Sequence, residues 1–140
     1  MNLPIISAIV AAILIILQQS LMLTVGLYRT KVKTGVGSGG DTTLERKIRR
    51  HGNLAENAAL FVATLGLAEL CGTPKVIITG FGTVFLLSRL LHMLSFSSLA
   101  GSHLIEGNKI FLLMRFFGAF GSFFAGIGLG SLIIFTIVRT

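Results

Sequence analysis

The chain has 140 residues, enough for one domain covering 1–140, with twelve basic and five acidic side chains and a formal charge of +7. At 53% hydrophobic and a mean hydropathy of +0.88 it is too apolar for a soluble domain of this size. The basic charge does not indicate nucleic acid, because seven of the twelve cations (Arg29, Lys31, Lys33, Arg46, Lys47, Arg49 and Arg50) fall between the first two apolar segments. That clustering marks a loop held on the cytoplasmic side, close to anionic lipid headgroups.

The first apolar segment, about 3–27, is longer than the roughly 20 residues that cross a bilayer. No Lys or Arg precedes it, and it is too long for the apolar core of a signal peptide, so it reads as a retained span. The loop from Thr34 to Gly40 is a flexible linker. It is not a phosphate loop, since it lacks the closing Gly-Lys-Ser/Thr and follows no strand. Asp41-Thr42-Thr43 offers N-caps for a second helix with Glu45 or Arg46 in its first turn. That helix covers about 44–71 and stops at Gly72-Thr73-Pro74. Cys71, the only cysteine, excludes an intrachain disulfide and is expected as a buried, inert thiol at the helix end.

Two further spans follow, about 75–96 and 110–138, giving an all-α, up-and-down four-helix membrane bundle. In the last span Gly118, Ser122, Gly126 and Gly130 recur every fourth residue, a ridge of small residues that lets helices approach closely in lipid. Packing within the chain and an oligomer seam suit it equally, and Phe116, Phe117, Phe120, Phe123 and Phe124 flank it. The positive-inside rule places loops one and three in the cytoplasm (the inner-membrane side, if the protein is bacterial) and both termini outside; Arg139 is a minor contrary signal.

Polar side chains inside such spans need partners. Gln18 and Gln19 are expected to bond across helices, and Glu69 to reach the interface opposite the basic loop. Arg49, Asn53 and Glu56 fall at i, i+4 and i+7 and share one helix face that runs from water into the apolar body. Arg89 and His92 share a face of helix three with Phe96, and Arg115 stands near the start of helix four. A plain structural reading pairs Glu56 with Arg89 and lets Arg115 snorkel. The functional reading notes that Arg49, Arg89 and Arg115, with Asn53 and Glu56, converge from three helices at one level. Guanidinium forks clamp carboxylates and a carboxylate pairs with an ammonium, so the set suits glutathione, whose thiolate a neighbouring cation would stabilise. No metal site is read.

The pattern Glu45-Arg46-x-x-Arg49-x-x-x-Asn53-x-x-Glu56, four spans and Ser88-Arg89-Leu90-Leu91-His92 resemble the MAPEG family (membrane-associated proteins in eicosanoid and glutathione metabolism), in particular its microsomal glutathione transferases. The resemblance implies a homotrimer that binds glutathione between subunits near the cytoplasmic face. It assigns glutathione contacts to Arg49, Asn53, Glu56 and Arg89, with His92 beside them, and thiolate stabilisation to Arg115. Asn57, His92 and Phe96 stand where eicosanoid-pathway members carry tyrosines, and His103 or Lys109 is an alternative to Arg115. The implied activity is conjugation or reduction of lipophilic electrophiles that arrive through the bilayer, a detoxification role. The alternatives are a non-catalytic binder of glutathione or lipid from the same family, and a small transporter coupled through Glu56. Against the transporter, the second half of the chain holds no counterpart of the helix-two pattern.

Overall fold

The structure, a computed structural model, describes residues 3–97 and 109–139. His103, Glu106 and most of the third loop lie outside the described residues. Four helices follow one another: α1 (Ile5–Val32), α2 (Thr42–Leu70), α3 (Lys75–Ser95) and α4 (Lys109–Val138). Three of them, α1, α3 and α4, are long and apolar enough to cross a membrane; α2 carries the charged stretch at its start. Each helix runs against its predecessor, so the starts of α2 and α4 meet the ends of α1 and α3 at one end of the bundle, the basic end.

Local chemistry sets the helix ends. α1 runs one turn beyond the predicted Leu27, because Arg29 and Lys31 in its last turn suit the negative end of the helix dipole. Lys33 closes it with φ 54. Asp41 caps α2 as expected, accepting from Leu44 N at 2.8 Å. α2 is followed by a turn at Gly72, whose φ of 84 allows Thr73 N to donate back to Ala68 O at 3.1 Å. Pro4, which opens α1, supplies no side-chain cap.

The core is a single cluster that includes Val10, Leu14, Leu54, Phe61, Leu65, Ile78, Phe85 and Leu129. α1 packs mainly on α2 and α3 mainly on α4. Phe61 and Phe85 join the two pairs by stacking face to face, centroids 3.7 Å apart. The α3–α4 contact needs glycine: a Cβ at Gly118 would stand 2.6 Å from His92 N, and one at Gly128 would stand 2.9 Å from the Phe81 ring. The small-residue ridge therefore divides. Gly118 and buried Ser122 serve packing within the chain, whereas a Cβ at Gly126 or Gly130 would meet nothing. Phe116, Phe117, Phe120, Phe123 and Phe124 are exposed along α4, as a lipid-facing helix requires.

Two expectations change. Gln18 and Gln19 make no side-chain hydrogen bond to another helix among the described residues; Gln19 is exposed and Gln18 half-buried. Cys71 is exposed, because it lies where α2 has already left the bundle for the turn at Gly72. Glu69, at the end opposite the basic loop, is buried and answered by the chain itself. It accepts from Ile6 N at 3.1 Å, Ser7 N at 2.8 Å and Ser7 Oγ at 2.6 Å. These are donors of the α1 N-terminus that Pro4 leaves uncapped, so a carboxylate of α2 acts as the cap of α1.

Candidate functional site

The site grows from the first half of α2. With 3.6 residues per turn, Arg49, Asn53 and Glu56 share one face there, as the spacing predicts. Asn53 and Asn57 turn their amides onto their own helix, Asn53 Nδ2 to Arg49 O and Asn57 Nδ2 to Asn53 O, both at 2.9 Å. This back-bonding leaves the amide oxygens free to accept. Arg49 and Glu56 are exposed, and neither pairs with another described residue. A Cβ at Gly52 would lie 3.8 Å from Glu56 Oε1, so that carboxylate lies back towards the basic end.

Arg89 behaves differently. Only 5% exposed, it donates from Nη1 to Asn53 O at 3.2 Å and from Nη2 to Gly118 O at 3.0 Å. The Glu56–Arg89 ion pair of the plain structural reading is therefore absent, and one guanidinium on α3 bonds to backbone on α2 and α4. Its buried Nε has no partner. Two of its three nitrogens hold the frame on which Asn53 stands.

His92 and Phe96 adjoin this frame. Their rings lie 5.2 Å apart, and the Arg115 guanidinium of α4 sits 5.0 Å from the Phe96 ring. The structure thus brings Arg89, His92, Phe96 and Arg115 into one cluster at the basic end, behind the Arg49–Asn53–Glu56 face. Lys109 is exposed at the start of α4.

Below the charged face lies a groove of about 340 Å³ between α2 and α4, floored by Phe61 and Phe85 of the core. Glu56 and Asn57 form its polar end, Leu60 and Thr64 its α2 wall, and Ser122, Gly126, Leu129 and Gly130 its α4 wall. The open half of the small-residue ridge is thus one side of a cleft whose mouth carries an unpaired carboxylate. Sequence reasoning found both halves and did not join them, because α2 and α4 face each other only through tertiary packing.

The arrangement offers a free guanidinium, two amide oxygens and a free carboxylate to a polar ligand, and an apolar cleft to a lipophilic one. Compared with models of protein families, residues 7–135 match that of the MAPEG family. No curated protein matches the chain significantly.

Proposed function

The chain belongs to the MAPEG family, and from that membership we propose a glutathione-dependent membrane transferase or peroxidase that acts on lipophilic electrophiles. The observation that carries the reading is the stripe of Arg49, Asn53 and Glu56, whose two charged residues are exposed and whose Glu56 end stands at the mouth of the apolar groove. Arg49 takes a glutathione carboxylate, Asn53 its peptide groups and Glu56 its ammonium. Arg89 positions Asn53 and His92 backs the site.

Arg115 is the residue we assign to the sulfur. A fixed guanidinium favours the thiolate over the thiol without itself titrating near neutrality, and water takes the proton. The sulfur then attacks the electrophilic carbon, forming a thioether and expelling the leaving group. With a hydroperoxide it takes the terminal oxygen, breaking the O–O bond to give glutathione sulfenic acid and the alcohol, and a second glutathione displaces that oxygen as water to form the disulfide. The active unit is a homotrimer in which a neighbouring subunit closes the open side of the groove. Its basic end faces the cytoplasm and both termini lie outside.

Calorimetric titration of glutathione into the detergent-solubilised protein tests the binding, and absence of heat at millimolar ligand would reject it. Conjugation of a chloronitrobenzene then separates an enzyme from a binder. Arg115→Leu should abolish the ultraviolet absorbance of the thiolate while leaving much of the affinity; survival of that signal, together with its loss in His103→Ala or Lys109→Ala, moves the role to one of those residues. Cross-linking that stops at dimers would reject the trimer. A non-catalytic binder is the second reading, favoured by Asn57, whose amide is turned onto Asn53 O, and by Phe96, which has no hydroxyl to offer the sulfur.

A further inference from the structure

Tyr28 is the only tyrosine of a chain without tryptophan, so it is the one amphipathic aromatic available to sit at a headgroup boundary. It lies near the end of α1, and its hydroxyl donates to Asp41 Oδ2 at 3.4 Å, which ties it to the cap of α2. Two ammonium groups lie against its ring, Lys31 Nζ at 5.8 Å and Lys47 Nζ at 5.4 Å from the centroid, one from each helix. Neither has a carboxylate partner among the described residues.

Two of the neighbouring cations are otherwise engaged. Arg29 donates to the carbonyls of Thr34, Gly35 and Gly37, and Arg46 to Ser97 O and Thr43 Oγ1. Asp41 accepts from Leu44 N on one oxygen and from Tyr28 on the other, so it holds the junction and does not neutralise the lysines directly. Two cations, one from each helix, therefore converge on one ring, and neither makes an ion pair among the described residues.

The surface beneath them decides what kind of anion fits. Leu23 and Leu27 are 60% and 65% exposed, and with Lys31 they form a stripe at i, i+4 and i+8 on the outer face of α1. An apolar track that leads up to an ammonium, with a tyrosine at the level between, matches an acyl chain, a glycerol and a phosphate in that order. A soluble phosphate would have no use for the track. We infer that Lys31, Lys47 and Tyr28 form a binding site for the headgroup phosphate of an anionic phospholipid whose acyl chain lies along Leu23 and Leu27. This inference is independent of the glutathione reading.

Native mass spectrometry of the full-length protein, released from a neutral detergent with phosphatidylglycerol or with phosphatidylcholine of the same chains, tests it. Each lysine near a headgroup phosphate contributes roughly fivefold in affinity, so Lys31→Gln with Lys47→Gln should weaken phosphatidylglycerol binding roughly thirtyfold. Phosphatidylcholine binding should change little. Lys31→Gln alone should lose roughly fivefold, which keeps the test decisive if the double variant folds poorly. The pair Lys33→Gln and Arg50→Gln removes the same charge from the same basic end; an equal loss there would show a diffuse field and overturn the site. Unchanged phosphatidylglycerol affinity in the lysine variants would overturn it as well. Displacement of the lipid by millimolar inorganic phosphate would identify a soluble anion site and overturn the assignment to lipid.

Discussion

Two of the three carboxylates of α2 are opposite in character. Glu69, at the far end, is buried and accepts three hydrogen bonds from the start of α1. Glu56, near the basic end, is exposed at the mouth of a groove and pairs with no described residue. The arginines repeat the contrast: Arg89 is buried and bound to two carbonyls, and Arg49 is exposed. A charge already answered by the chain serves the fold, because removing its partners would leave buried donors or acceptors unmet. A charge left unanswered beside an apolar cleft serves something brought from outside. The two carboxylates thus mark a structural end and, in the proposed reading, a receptive end of the bundle, and at the receptive end Arg89 holds the frame beside Arg49.

Mutations can break or sharpen that division. The largest effect should follow Glu69→Leu, which orphans two backbone donors and a hydroxyl and should lower stability by about 3 kcal/mol. Thermal unfolding in detergent reads this, and glutathione affinity of the folded protein should be unchanged. Next comes Gly118→Val, since a Cβ there would meet His92 backbone at 2.6 Å. Overpacking of this kind costs about 2 kcal/mol, and it should disturb both stability and the Arg115 thiolate signal. Glu56→Gln should weaken glutathione binding by roughly 1–3 kcal/mol by calorimetry, with the melting temperature barely altered. Unchanged affinity would remove Glu56 from the receptive end. The smallest effect is expected from Ser7→Ala, about 1 kcal/mol of stability through one lost hydroxyl bond. A larger loss of ligand affinity than of stability in that variant would collapse the distinction between the ends.

The sequence made part of this legible. Hydropathy and breakers located four helices, and residue spacing put Arg49, Asn53 and Glu56 on one face, since both depend on local periodicity. The Asp41 cap was visible for the same reason. What escaped depends on contacts distant in sequence. Glu69 bonds to backbone donors 62 and 63 residues away, and backbone donors carry no residue signature. Arg89 bonds to carbonyls for which any residue would serve, so a search for an acidic partner led to Glu56 instead. The exposure of Cys71 turned on how α2 leaves the bundle, a matter of a single turn of helix.

That exposed cysteine has a consequence of its own. It is the only thiol of the chain and sits at the end of α2 opposite the Arg49–Glu56 face. In the proposed orientation the protein's sulfur and the glutathione sulfur open to different compartments, so mixed-disulfide exchange between them is barred by topology. The native protein also carries a ready-made sidedness probe. A membrane-impermeant maleimide added to sealed vesicles should label Cys71 from the face opposite the basic loop, with no engineered residue.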